Sequence, residues 1–149
     1  MADMHIDRTA DVFTPEQRSK IMARVRSKDT QPEILVRSTL HAMGYRFRLH
    51  RKDLPGNPDI VLPRHWTVIF VHGCFWHQHA GCAAAALPKG NRQYWERKLS
   101  RNAARDGRNQ QSLDEQGWRV IVLWECDLRK MGLDLPSWLH ARLLRLPSR

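Results

Sequence analysis

The sequence predicts an α/β sandwich, a mixed β-sheet covered by helices on both faces. Three observations carry that expectation. Two capped helical segments precede the first strand pattern, short apolar runs at Asp59–Leu62, Thr67–His72 and Trp118–Trp124 have strand length, and a long polar helix separates the last two runs. A chain of 149 residues suffices for one core. The expected organisation is a flexible N-terminal arm over 1–13 and a single domain over 14–149.

In chain order, Thr14-Pro15-Glu16-Gln17 sets an N-cap hydroxyl, a proline at the first helical position and a glutamine able to cap back. A helix should run from there to about Ser27, its outer face basic at Arg18, Lys20, Arg24, Arg26 and Lys28. Thr30-Gln31-Pro32-Glu33 repeats that grammar, with Ile34, Leu35, Leu40 and Met43 as the expected apolar face and Gly44 as the stop. Tyr45 to His50 alternates apolar residues with Arg46, Arg48 and His50, which predicts a strand buried on one face. After the turn Leu54-Pro-Gly-Asn-Pro58, Asp59–Leu62 and Thr67–His72 read as adjacent strands, the second apolar on both sides and therefore central. Asn91 to Gln116 forms a long helix with Tyr94, Trp95, Leu99, Ala103 and Leu113 on its apolar side, stopped by Gly117. Trp118 to Trp124 is a buried strand, and a short helix from about Pro136 through Leu144 closes the chain.

Composition narrows the function. Lys and Arg total 25 against 15 Asp and Glu, a net charge of +10, the electrostatic footprint of a polyanion binder. No apolar run approaches the ~20 residues that span a bilayer, and Met1-Ala-Asp-Met-His lacks the order of a signal peptide, so a cytoplasmic protein without membrane contact is expected. Three cysteines in a reducing compartment favour metal ligation or ordinary burial over disulfides.

The chemistry concentrates in His72-Gly-Cys-Phe-Trp-His-Gln-His-Ala-Gly-Cys82, directly after the central strand. Cys74, His79 and Cys82, with Cys126 at the end of the later strand, can form a Cys₃His tetrahedron for Zn²⁺; the alternative is that Cys126 is a small buried hydrophobe and the loop cysteines are incidental. Asp59 opens a strand at the edge of a turn, where a hard carboxylate can hold Mg²⁺, although Asp in such turns also serves to bond nearby amides. His72 and His77 follow the neighbouring strand and are acid/base candidates, since imidazole exchanges protons near neutrality. Glu33 has the capping box as a competing explanation, whereas Asn102 and Asp106, four apart, share one helix face and are able to point at one site. Phe75, Trp76 and the nearby Trp95 offer aromatic wedges beside basic residues, or packing for the cysteine loop.

These residues resemble the very-short-patch-repair DNA mismatch endonucleases. The matching stretches are Arg18-Ser-Lys-Ile-Met22, Asp29-Thr30 with Glu33, Leu54-Pro-Gly-Asn-Pro-Asp59, Val68-Ile-Phe-Val-His-Gly-Cys-Phe-Trp-His77, Tyr94-Trp-Glu-Arg-Lys98 with Asn102 and Arg105-Asp106, and Gly117-Trp-Arg-Val-Ile-Val-Leu-Trp-Glu-Cys126. Phe70-Val71-His72 stands where the broader nuclease superfamily carries an acid and a lysine, so the match is to the narrower family. The resemblance implies a restriction-endonuclease-like core and a Mg²⁺-dependent nick 5′ to the thymine of a T:G mismatch in duplex DNA, the lesion left when 5-methylcytosine deaminates. It implies Mg²⁺ on Asp59 and the Val71 main-chain carbonyl, His77 as the main proton-transfer residue, support from His72 and Asp106, and Glu33 at the metal-water network. Cys74, His79, Cys82 and Cys126 match structural Zn²⁺ ligands; Ala80-Gly81 makes that loop one residue longer than the family pattern. Phe75, Trp76 and Trp95 match side chains that wedge into the DNA stack, with Asn102 as a further DNA contact and Met22 approaching the opposite groove. A monomer suffices for one nick, and mismatch-repair proteins are further expected partners. Two alternatives stay open on the residues alone: a nuclease of other DNA specificity, and a zinc-stabilised DNA-binding module without catalysis.

Overall fold

A computed structural model describes residues 14–17 and 28–144. Thr14 and Gln17 exchange hydrogen bonds, the Thr14 hydroxyl accepting from the Gln17 amide at 3.1 Å and the Gln17 side chain from the Thr14 amide at 2.9 Å, so the capping box opens a helix over 15–17 as expected. The expected continuation of that helix to about Ser27 and the expected 1–13 arm lie outside the described residues.

Helix α1, Gln31–Ala42, starts at the Thr30 N-cap. Its buried face is Glu33, Val36 and Leu40, with Met43 packed beside them. The expected face was partly misplaced: Ile34 and Leu35 are exposed. The spacing 33, 36, 40, 43 is itself a helical stripe, and it was obscured because a carboxylate occupies its first position.

The sheet has four strands in the order β1 (Arg48–Leu49), β2 (Ile60–Leu62), β3 (Thr67–His72) and β4 (Arg119–Trp124). β1–β2 and β2–β3 are antiparallel, β3–β4 parallel, giving the mixed sheet. β1 pairs over two residues only; exposure alternates as expected from Tyr45 to Arg48, but the expected one-sided burial fails at Leu49, which is exposed. Its partner explains the shortness. Arg48 lies opposite Val61, so a longer β1 would need residue 63, which is a proline without an N–H to give.

Alternation divides the core. Ile60, Leu62, Ile69, Val71, Ile121 and Leu123 face one side, where Val36 and Leu40 of α1 and Leu139 and Leu143 of helix α4 (Leu135–Leu144) cover them. Val61, Val68 and Phe70 face the other side, with Leu54 and with Leu113 of helix α2 (Arg92–Glu115). Helices thus cover both faces. On α2 the buried apolar residues are Leu99 and Leu113, while Tyr94 and Ala103, expected there, are exposed. Helix α3, Glu125–Met131, was not anticipated, because it leaves β4 without a loop or a capping side chain. Its signal was charge: Glu125 and Asp127 in the first turn, Arg129 and Lys130 in the last, matched to the helix dipole. Among the described residues no helix is long and apolar enough to cross a membrane.

Candidate active site

Parallel pairing brings the ends of β3 and β4 together, with His72 opposite Trp124 in the last rung. His72 is buried and its Nδ1 has no hydrogen-bond partner. Burial pushes its imidazole down to about 4, helped by the charge of His77. The chain then turns, His77 N–H donating to the Gly73 carbonyl at 3.1 Å, which lays the His77 ring on His72 with centroids 3.8 Å apart and planes 5° from parallel. His77 Nδ1 meets Asp106 Oδ2 at 2.6 Å. Asn102, one turn earlier on α2, donates from Nδ2 to the Trp76 carbonyl at 3.2 Å. The shared helix face expected of Asn102 and Asp106 therefore grips the loop at two points.

Asp59 immediately precedes β2. Val71 N–H donates to its Oδ2 at 2.7 Å, and burial, reinforced by the nearby Glu33 charge, pushes its carboxyl up to about 6 against that hydrogen bond. Glu33 is buried; Thr30 Oγ1 accepts its N–H at 3.4 Å, and its own Oε2 accepts from Asp29 N–H at 3.0 Å. The capping function is real, and burial still raises this carboxyl. His50, whose N–H donates to the Asp59 carbonyl at 3.3 Å, places Nε2 3.4 Å from Asp29 Oδ1 and 3.6 Å from Glu33 Oε2. His50 was missed as a site residue because its carboxylate partners are remote in sequence. Arg37 holds Asp29 from the other side at 2.7 Å.

One cleft of about 1080 Å³ is lined by Glu33, His50, Asp59, His72, His77, Asn102 and Asp106, while Asp29 and Arg37 stand outside its lining. Its lining also includes Lys28, Lys52, Lys98 and Arg105, so carboxylates sit among cationic side chains. Asp59 offers hard oxygen donors: Oδ1 remains after Oδ2 takes the Val71 amide. The Val71 carbonyl lies on the same edge of β3 as its N–H, because both backbone groups of a strand residue face one neighbour.

Beyond the last rung, Cys74, His79, Cys82 and Cys126 bring one ligand atom each within 4.8 Å of one another. His79 Nδ1 lies 3.7 Å from Cys74 Sγ and 3.3 Å from Cys126 Sγ. A tetrahedral zinc with ordinary Zn–S and Zn–N bonds needs an S···N edge of about 3.6 Å, so the donor set fits that ion. Gly81, at φ 72°, turns the longer loop so that Cys82 joins the group. Burial pushes the Cys126 thiol up to about 11, a proton that metal binding would displace.

Phe75, Trp76 and Trp95 are half-buried and pack edge-on against each other, with centroids 5.0, 5.5 and 6.0 Å apart. Lys98 Nζ lies 5.8 Å from the centroids of the Trp76 and Tyr94 rings and 5.9 Å from that of Trp95. Met22 lies outside the described residues.

Fold and site together define a mixed α/β protein whose carboxylate–imidazole cleft adjoins a Cys/His group with the donor set to hold a metal ion. The family model "DNA mismatch endonuclease Vsr" matches residues 10–83. The chain is 56% identical over 122 residues to the type II nicking enzyme V.XorIIP of Xanthomonas oryzae pv. oryzae, covering 82% of this chain and 89% of the relative. It is 43% identical to the type II nicking enzyme V.NmeAIP of Neisseria meningitidis, over 83% of this chain and 87% of that one. With the DNA mismatch endonuclease Vsr of Escherichia coli it shares 42% identity over 80% of this chain and 76% of the relative. The chain belongs to the Vsr DNA mismatch endonuclease family.

Proposed function

We propose that the protein is a Mg²⁺-dependent endonuclease that nicks duplex DNA 5′ to the thymine of a T:G mismatch arising from deaminated 5-methylcytosine, initiating very short patch repair. The observation that carries the reading is the meeting of Asp59 and the His72–His77–Asp106 group in one cleft of a chain from this family. Relatives named nicking enzymes support scission of one strand. One cleft holds every proposed catalytic side chain, so a monomer suffices, and mismatch-repair proteins remain the proposed further partners.

Asp106 accepts from His77 Nδ1, fixing the tautomer and leaving Nε2 to exchange a proton with the attacking water or the leaving oxygen. His72, held neutral by burial, presents a flat uncharged face to His77 and tolerates its protonation. Asp59 Oδ1 and the Val71 carbonyl would hold Mg²⁺, which when bound supplies positive charge for the oxygen that becomes negative. Glu33, anchored by the Asp29 amide, would accept from water around that ion. Cys74, His79, Cys82 and Cys126 would hold Zn²⁺ as a structural cross-link. Lys28, Lys52, Lys98 and Arg105 bind phosphates, while Phe75, Trp76 and Trp95 insert at the mismatch, with Asn102 nearby and Met22 from the N-terminal helix. A wobble pair resists opening less than its neighbours, so the wedge itself discriminates.

The test is single-turnover nicking of T:G against fully paired duplexes in several sequence contexts, with and without Mg²⁺. Preferential, Mg²⁺-dependent cutting of the mismatched strand is expected, and equal rates on paired DNA would sink the mismatch assignment. His77→Ala should slow nicking by about a thousandfold, within the usual reach of a proton-transfer group, while duplex affinity stays within about threefold. A normal rate in that variant would remove His77 from the chemistry.

A further inference from the structure

A line of rings runs from the Cys/His group to the cleft. His79 stacks on Trp124 with centroids 4.2 Å apart and planes 9° from parallel. Trp124 meets His72 edge-on at 5.2 Å and 73°, and His72 stacks on His77 at 3.8 Å. Strand register creates this line. His72 and Trp124 form the last rung of the parallel pair, and two residues beyond each strand end stand Cys74 and Cys126, both in the metal-binding group. A metal there would clamp the two strands immediately past the rung.

We propose that Trp124 is a positioning residue that carries the geometry of the Cys/His group to the His72–His77 pair, so that cleavage depends on its ring while DNA binding does not. His72 Nδ1 is buried without a hydrogen-bond partner, so ring contacts fix that imidazole: His77 on one face, the Trp124 ring, and Phe70 at a centroid distance of 5.6 Å. His77 in turn has one side-chain anchor, Asp106, about which its plane can pivot unless His72 backs it. Trp124 is the member of this set that touches both sides, with a broad enough face to lie on His79 while its ring reaches the buried histidine. A proton-transfer group displaced by about 1 Å costs on the order of a hundredfold in rate, so a small slackening of the stack has a large kinetic effect. This role rests on the endonuclease reading above, and the experiment separates the two.

The zinc-loaded wild type, Trp124→Leu and Trp124→Phe are compared for bound zinc, duplex affinity without divalent cation, and single-turnover nicking at saturating enzyme. Trp124→Leu should keep its zinc and bind duplex within about threefold of wild type while cutting at least ~30-fold more slowly. Trp124→Phe, which restores a flat ring, should recover to within about fivefold. Leucine at wild-type rate, phenylalanine as slow as leucine, or a rate loss matched by lost zinc or lost affinity would each overturn the proposal. If the leucine chain does not fold, the histidine ring resonances of wild type and Trp124→Phe are followed as zinc is withdrawn. His72 and His77 signals should move in wild type and, because the flat ring is restored, also in the phenylalanine chain; unmoved signals in wild type, or movement lost in the phenylalanine chain, overturns it. A wild-type chain that cuts no duplex sinks the endonuclease reading instead, and the resonances still report on the coupling.

Discussion

At the scale of single residues, the cleft holds the Asp59 and Glu33 carboxyls at an energetic cost. Asp59 ionises at about 6 against an ordinary 3.8, so between those values the folded chain binds a proton that the unfolded chain has released. A raised acid pKa destabilises the fold as pH rises through that window, with no effect below it and the full effect above. In Mg²⁺-free buffer Asp59→Asn, which keeps an acceptor for the Val71 amide, should therefore stabilise the chain at pH 8 by about 2–3 kcal/mol. Urea melts at pH 8 and pH 4 check this: the gain should vanish at the lower pH, and a pH-independent gain would place its origin elsewhere. The same variant should not nick, which separates stability from the proposed metal role. Residue identities made much of this site legible. Asp59, His72, His77, Asn102 and Asp106 were singled out from residue type and position, and they line one cleft. His50 and Asp29 were not, because their pairing joins the end of β1 to the start of α1 across 21 residues.

At the scale of elements, punctuation was legible where chemistry is local. Thr30 and Gly117 mark helix ends by hydroxyl capping and by a positive φ of 89°, and both helices fall within a residue or two of the expected limits. Faces and pairing were less legible, since they depend on what arrives from elsewhere. The exposed Ile34 and Leu35 look like core until Glu33 is turned inward by the cleft, and β1 looks like a full strand until Pro63 cuts its partner short. The 73–90 loop is a third case, having short turns and one buried hydrophobic residue, Cys74, of its own. If a Cys/His-bound zinc supplies the missing cross-link, chelation should open this segment ahead of the rest. Limited proteolysis is expected to cut within 73–90 in chelator and to spare it in zinc; identical patterns would count against a structural ion.

At the scale of the whole molecule, the net charge of +10 favours a polyanionic partner, and the cleft lining contributes Lys28, Lys52, Lys98 and Arg105 beside its carboxylates. Lys28→Ala should lower duplex affinity similarly for matched and mismatched DNA and reduce the slope of log affinity against log salt by about one. Binding isotherms across several salt concentrations check it, and an unchanged slope would remove Lys28 from the phosphate contacts. The carboxylates lining the cleft would repel the same phosphate backbone that its lysines would attract. In the proposed Mg²⁺-dependent enzyme, monovalent salt would set how long the molecule dwells on duplex, and the divalent ion whether a phosphate could settle deep enough to be broken. Under that reading holding on and cutting would answer to different ions, which would let the molecule slide along intact duplex without breaking it.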